Sequence, residues 1–177
     1  MPEPGTWEQY RDALCRPVED TLLGFPATDR ERLISAIISN ARLNEGVPFP
    51  ELREIGLDPS LETMGDFILD FAIFDHFALK GKYTAKEVDD FRQFYGGNEA
   101  LHVYAKECIR LQELILWGPD EVTRKVWDQP ATTLLADRFE MIIAIIYLEK
   151  GIDGVKDFLQ RTHFFEEMDK IRKKFFK

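Results

Sequence analysis

Apolar and polar positions recur along most of this chain with the period of an α-helix. In the segment from Thr28 to Leu43, apolar residues fall at positions 33, 34, 37, 38 and 41, which places them on one face of a helix. No segment alternates with period two over a length that would predict a sheet. The pattern therefore predicts an all-α fold.

Capping residues and helix breakers divide this pattern into consecutive helices. Asp58-Pro59 predicts the start of a helix that runs to about Leu79, with a capping carboxylate and proline at the first helical position. Thr84 and Glu87 predict a capping box. The remaining predicted helices are Thr6 to Leu14, Val18 to Leu23, Thr28 to Leu43, Asn98 to Ile109, Gly118 to about Trp127, Ala131 to Lys150, Ile152 to Arg161, and Phe164 to Phe176. Pro17 separates the first two of these helices, Asn98 is the predicted cap of its helix, Pro119 follows Gly118 at the start of another, and Gly151 ends the helix that begins at Ala131. The segment NEGVPFPELREIGLD is predicted to be a loop.

Length and composition indicate one packed domain. The chain has 177 residues, of which 45% are hydrophobic and 12% aromatic, which argues against disorder. The longest apolar run, MIIAIIY, is far shorter than the roughly 20 residues of a membrane-spanning helix. The amino terminus lacks a signal-peptide pattern, so we expect a soluble, cytoplasmic protein. Cys15 and Cys108 show no metal-ligand spacing, and we expect both to be reduced.

The charge balance is acidic. Lys and Arg number 23 against 32 Asp and Glu, a formal net charge of −9, which is the wrong sign for a generic nucleic-acid binder. Two basic clusters stand out, one of Lys170, Arg172, Lys173, Lys174 and Lys177, and a sparser one of Lys80, Lys82 and Lys86. They are either phosphate contacts or solvated helix ends that the helix dipole favours.

Two pairs of carboxylates interrupt apolar helical runs. Glu62 and Asp66 lie four residues apart in LETMGDFILD, and Asp137 and Glu140 lie three apart in LLADRFEMIIAIIYLEKG. Each pair shares a helix face. An unpaired buried carboxylate is unfavourable, so acids at such positions need a partner.

Small residues beside both pairs favour close packing of the two helices. Gly65 adjoins Asp66, and Ala144 continues the stripe of Asp137 and Glu140. Packed face to face, these helices would bring four acids together. The alternative is that the acids lie on a solvated face, as an isolated Glu-x-x-x-Asp pair usually does.

A divalent cation would compensate four converging acids, which otherwise repel one another. Mg²⁺ and Mn²⁺ prefer oxygen ligands, whereas Zn²⁺ would recruit His or Cys. A di-iron bundle needs Glu-x-x-His on two helices, and only Glu99-x-x-His102 has that form. The residues therefore favour Mg²⁺, with Mn²⁺ as a possible substitute.

The two acidic segments resemble the ribonuclease III family. The family signature Glu-Arg-Leu-Glu-Phe-Leu-Gly-Asp-Ala-Val-Leu is similar to PSLETMGDFIL, and the second motif, Ala-Asp-x-Phe-Glu-Ala-x-x-Gly-Ala-Ile-Tyr-Leu-Asp, is similar to ADRFEMIIAIIYLEKG. The resemblance runs from about Leu22 to Leu159, and we expect a single domain over residues 1–177. The matching positions are Leu61, Glu62, Gly65, Asp66 and Leu69, then Ala136, Asp137, Phe139, Glu140, Ile146, Tyr147 and Leu148.

The resemblance implies a homodimeric helical bundle that cleaves double-stranded or structured RNA with Mg²⁺. Carried over residue by residue, Glu62, Asp66, Asp137 and Glu140 would be the metal ligands and catalytic acids. The implied chemistry is metal-assisted hydrolysis of phosphodiesters, which leaves 5′-phosphate and 3′-hydroxyl ends.

The chain also departs from the family pattern. Pro59 and Ser60 replace the first acid and the Arg of the signature, and Thr63 stands where an aromatic residue often plugs a socket on the partner subunit. Met141 and Ile143 replace Ala and Gly of the second motif. We expect a catalytic domain without a double-stranded RNA-binding domain, similar to the short Mini ribonuclease III type, and an accessory protein as a source of RNA affinity. The alternative function is a non-catalytic scaffold in an RNA–protein complex.

Overall fold

A computed structural model describes residues 5–129 and 132–175, and in these residues the chain forms helices and no strands. The prediction of an all-α fold is confirmed. In this part of the chain the helices are α1 (Trp7–Val18), α2 (Arg30–Ile37), α3 (Asn40–Asn44), α4 (Glu51–Ile55), α5 (Pro59–Ala78), α6 (Ala85–Tyr95), α7 (Asn98–Glu107), α8 (Pro119–Arg124), α9 (Leu134–Arg161) and α10 (Phe164–Phe175).

The two acidic helices form the centre of the structure. Helix α9 packs along α5 more extensively than any other two described helices pack together, while α7, α2 and α10 cover its remaining sides. The segment 139–146 of α9 is buried without interruption, as expected of a helix that is apolar on every side, and Glu140 is its one charged residue. No helix of the described residues has the length and apolar character that crossing a membrane requires.

Two predicted boundaries at the start of the chain are wrong. Pro17 lies inside α1 instead of separating two helices, and the chain continues as a wide π-helical turn, Glu19–Leu23. In this turn the buried Glu19 reaches Arg30, whose Nη2 lies 2.8 Å from the carboxylate. The ion pair compensates the buried charge and joins the turn to α2.

The helix predicted from Thr28 to Leu43 is interrupted. Ile38 is extended and forms an isolated bridge with Leu116, in which the Leu116 amide donates to Ile37 at 2.7 Å and the Ser39 amide donates to Leu116 at 3.0 Å. The Ser39 hydroxyl then caps α3 by accepting from the Arg42 amide. The helical stripe did not reveal this break, because the apolar residue after it, Ala41, keeps the helical spacing of those before it.

The predicted loop before α5 contains the short helix α4. Leu52 of α4 is fully buried, and Phe49 packs on Tyr10 of α1 with ring centroids 5.1 Å apart. The prolines of this segment suggested an irregular loop, but a single helical turn fits between Pro50 and Gly56, where the backbone reaches φ +61°.

The later helix ends match the sequence more closely. Asp58 caps α5, accepting from the Ser60 amide at 3.0 Å, and Thr84 and Glu87 form the predicted capping box. Gly97 caps α7 where Asn98 was predicted, and α8 ends at Arg124, where Lys125 turns left-handed, earlier than the predicted Trp127.

Helix α9 is bent where the sequence predicted a stop. Gly151 has φ +65°, a conformation that glycine adopts without strain, and the chain resumes helical geometry in a new direction. The helix begins at Leu134. The predicted start at Ala131 and the predicted end of α10 at Phe176 lie outside the described residues.

Candidate metal centre

Helices α5 and α9 meet backbone to backbone at Gly65 and Glu140. A Cβ built on Gly65 would overlap the carbonyl oxygen and carbon of Glu140 and would lie 3.0 Å from its Cα. Only glycine permits this approach. The contact places Asp66, the neighbour of Gly65, directly beside the segment of α9 that carries the second acidic pair.

The four predicted acids occupy the facing sides of these helices in a gradient of exposure. Glu62 is exposed, Asp66 and Asp137 are partly buried, and Glu140 retains 5% of its exposure. The site is therefore open to solvent at Glu62 and closed at Glu140.

Glu140 has the most perturbed carboxyl group of the four. Burial raises its pKa to about 8, and the negative charges of Asp66, Asp137, Glu62 and Asp70 contribute in that order. None of the described residues donates a hydrogen bond to its side chain. A buried carboxylate among like charges, with no cation beside it, is a candidate ligand for a cation.

The pKa values of Asp66 and Asp137 are also raised. Burial and then the charge of Asp70 raise the pKa of Asp66, while Arg92 opposes the shift. Burial and then the charge of Glu62 raise the pKa of Asp137, while Arg138 opposes it. The structure thus brings the predicted acids of both helices within electrostatic range of one another.

The four carboxylates do not converge on a single position that a metal ion could occupy. Across residues 5–129 and 132–175, no three His, Cys, Asp or Glu side chains are placed so that they could hold a metal ion as they stand. The donors are all carboxylate oxygens, which suit Mg²⁺ and Mn²⁺.

The Glu99-x-x-His102 pattern does not belong to this cluster. The Nε2 atom of His102 lies 3.0 Å from the Trp127 carbonyl, and the charges that act on this imidazole are those of Lys106 and Asp128. His102 therefore anchors the segment after α8 and is no candidate ligand here.

Asp70 extends the acidic stripe of α5 by one turn, and the structure supplies its partner. Arg92 of α6 donates to the Asp70 carboxylate at 2.5 Å and to Asp89 at 3.1 Å. The sequence showed Asp70 four residues after Asp66, but no pattern pointed to Arg92. Asp70 is therefore already paired, unlike Glu140.

Several residues of the basic clusters contact other side chains of the protein. Lys170 pairs with Glu167 at 2.6 Å, and the Arg172 guanidinium lies 4.8 Å from the centre of the Phe91 ring. Lys80 contacts His76 at 2.7 Å. Lys177 of the carboxy-terminal cluster lies outside the described residues. These contacts fit the interpretation of solvated helix ends better than that of a dedicated phosphate surface.

One face of α5 is apolar and exposed. Phe67, Phe71 and Phe74 retain 70%, 53% and 51% of their exposure. With Thr63 they follow helical spacing along the helix that carries Glu62 and Asp66. Aromatic residues grouped on a surface in this way mark an interaction site; we call these three the aromatic stripe.

Comparison with known proteins gives a consistent result. A family model described as ribonuclease III domain matches residues 59–151, a range that contains all four acids. Ribonuclease 3 of Mycoplasmopsis synoviae is 29% identical over 115 residues, which cover 64% of this chain and 48% of the relative. Ribonuclease 3 of Protochlamydia amoebophila is 28% identical over 144 residues, which cover 81% and 56%. The chain spans about half the length of these relatives.

Solved structures share the fold. The nuclease domain of ribonuclease III from Campylobacter jejuni superposes with a TM-score of 0.62 at 23% identity, over 82% of this chain and 92% of that domain. That structure is described as flexible in a region involved in dimer formation. A second structure of the same domain gives a TM-score of 0.62 at 22% identity.

Proposed function

The chain belongs to the ribonuclease III family, and from this premise we propose that it is an endoribonuclease that hydrolyses phosphodiesters in double-stranded or structured RNA. We propose that Glu62, Asp66, Asp137 and Glu140 bind Mg²⁺, or Mn²⁺ in its place, and that the products carry 5′-phosphate and 3′-hydroxyl ends. The observation that carries the proposal is the buried, unpaired carboxylate of Glu140 facing three further acids.

The difference in solvent exposure among the four acids suggests a different role for each part of the site. Glu140 and Asp66 form the inner part of the site and would hold a cation away from bulk water. Glu62 lies at the solvent side, where an RNA phosphate can approach. Bound cations would supply an activated water and stabilise the attacking and leaving oxygens. Rotation of the four side chains toward the ion is part of the proposal.

We further propose that the protein forms a homodimer through the aromatic stripe. Thr63 lacks the aromatic ring that relatives often use at this position, but Phe67 stands one helical turn later on the same face and is 70% exposed. The aromatic contact would thus be displaced by one turn. The Campylobacter jejuni nuclease domain, which shares the fold, has a region involved in dimer formation.

The negative net charge of the chain opposes RNA binding. The formal net charge is −9, and Lys170 and Arg172 already contact Glu167 and Phe91, so we expect few basic side chains to contact RNA phosphates. We therefore propose weak intrinsic affinity for RNA, with cations at the acidic site and an accessory RNA-binding protein as sources of additional affinity. We propose a cytoplasmic location for this activity.

A cleavage assay tests the enzymatic proposal. Purified protein is incubated with long duplex RNA and with structured ribosomal precursors, with Mg²⁺, with Mn²⁺ or with EDTA. Cleavage with either cation and none with EDTA supports the proposal. Intact RNA at every ionic strength would contradict it.

The departures at Pro59, Ser60 and Thr63 favour a second candidate, a non-catalytic scaffold in an RNA–protein complex. Retention of four acids argues against it, because a scaffold gains nothing from buried like charges. The Glu140→Gln variant separates the two: loss of the cellular role with an intact fold supports catalysis, whereas an unchanged role supports scaffolding.

A further inference from the structure

Ser35 of α2 joins the start of the first acidic helix to the core. Its side chain is 2% exposed, and its hydroxyl accepts a hydrogen bond from the Asp58 amide at 2.7 Å. Asp58 is the N-cap of α5, and its carboxylate accepts from the Ser60 amide. Glu62 lies in the first turn of the same helix, so the Ser35 hydroxyl fixes the end of α5 from which Glu62 projects.

Arg138 joins the second acidic helix to the same point. It follows Asp137 in α9, and its Nη1 atom lies 3.4 Å from the carbonyl oxygen of Ser35 and 3.5 Å from that of Ala36. These carbonyls belong to the last turn of α2, where helical partners run out. The last turn of α2 therefore bonds to both helices, through the Ser35 side chain on one side and its backbone on the other.

The two acids beside these bonds repel each other. Glu62 in the first turn of α5 and Asp137 in the first turn of α9 carry like charges, and the close contact at Gly65 lies farther along the helices. The contacts of Ser35 and Arg138 join this end of both helices to α2. The positive charge of Arg138 also lies near Asp137, Glu121 and Glu62.

We propose that Ser35 and Arg138 are positioning residues that hold Glu62 and Asp137 close enough to share one divalent cation. This inference rests on the metal site proposed above. Neither residue is predicted to touch the cation or the RNA. Groups that orient metal ligands from behind typically change metal affinity by about 10- to 100-fold when removed.

The test is Mn²⁺ affinity measured by calorimetry on the free protein, without RNA. Ser35→Ala and Arg138→Met are each expected to weaken Mn²⁺ binding by about tenfold or more. Arg138→Lys keeps the charge and one donor and is expected to restore most of the affinity. Tyr95→Phe is the matched control, because it removes one part-buried hydrogen bond, to Asp169 at 2.5 Å, that involves neither α2 nor any of the four acids.

The outcomes separate the inference from the function it rests on. Weaker binding in Ser35→Ala and Arg138→Met, with Tyr95→Phe unchanged, supports the positioning role. Wild-type affinity in both variants overturns it and leaves the metal site standing. Equal weakening in Tyr95→Phe also overturns it, because the effect would then follow general stability. If the wild type itself binds no Mn²⁺, the metal site fails and this inference fails with it. Should Ser35→Ala not fold, the Arg138→Lys and Arg138→Met pair decides alone.

Discussion

Gly65 of α5 lies directly on the backbone carbonyl of Glu140 in α9, so that a Cβ at position 65 would occupy the space of the carbonyl group. The two helices that carry the acids are therefore in backbone contact at the centre of the site. This contact gives Gly65 a physical role that its place in a sequence motif only suggested.

The first prediction concerns this contact. Gly65→Ala adds one methyl group that no side-chain rotation can relieve, because its neighbours are backbone atoms. Despite the better helix propensity of alanine, we expect a loss of about 2 kcal/mol or more in the free energy of unfolding. Thermal and denaturant unfolding measure it. Thr63→Ala, at an exposed position of the same helix, is the control and should change stability little.

The second prediction is the pH dependence that Glu140 imposes on stability. Its pKa rises from an ordinary value of 4.5 to about 8 in the folded protein, so the folded state holds a proton that the unfolded state releases between these values. The metal-free protein should therefore lose stability as the pH rises from about 4.5 to 8. Glu140→Gln removes this loss and should be the more stable protein at pH 8, with the difference shrinking toward pH 5.

Chemical unfolding of both proteins across this range, without divalent cations, measures the effect. Glu31→Gln, at an exposed position, controls for the loss of a charge and should follow the wild type. A wild type that gains stability over Glu140→Gln as the pH rises would show that the Glu140 carboxylate already has a compensating partner.

The third prediction concerns the aromatic stripe. Phe67→Asp places a charge at the most exposed ring of the three and should convert a dimer into a monomer in sedimentation experiments. Val122→Asp, at another exposed apolar position, is the control and should stay dimeric. A wild type that sediments as a monomer at tens of micromolar would refute the proposed dimer contact.

The fourth prediction concerns RNA affinity in the absence of cleavage. Because the chain is acidic, duplex RNA should bind with a dissociation constant of about micromolar or weaker, and binding should weaken further with salt. Titration of labelled duplex RNA in Ca²⁺ across several salt concentrations measures this. Nanomolar binding that does not respond to salt would contradict it.

The helical fold was accessible from the sequence wherever local signals decided the outcome. Asp58-Pro59, the Thr84–Glu87 capping box and Gly151 act within one turn of the chain, and each marks a real boundary or bend. The break at Ile38 coincides with its bridge to Leu116, far along the chain, and the buried Glu19 of the π-helical turn pairs with Arg30 of α2. Such tertiary contacts leave no periodic signal.

At the acidic site, too, the local sequence pattern was informative and the tertiary contacts were not predictable. Spacing alone placed Glu62 with Asp66 and Asp137 with Glu140, and small neighbouring residues suggested that the pairs would meet. The spacing could not reveal that Arg92 pairs with Asp70, or that Ser35 and Arg138 join both helices to α2, because these contacts connect distant segments through single side chains.

The most direct test of the central claim is cleavage of long duplex RNA by the wild type and by Glu140→Gln, with Mg²⁺ present and with analysis of the product ends. We predict metal-dependent cleavage by the wild type, with 5′-phosphate and 3′-hydroxyl ends, and a loss of at least about 100-fold in Glu140→Gln while its fold is retained. Equal cleavage by both proteins, or cleavage by the wild type that persists in EDTA, would contradict the four-carboxylate metal site.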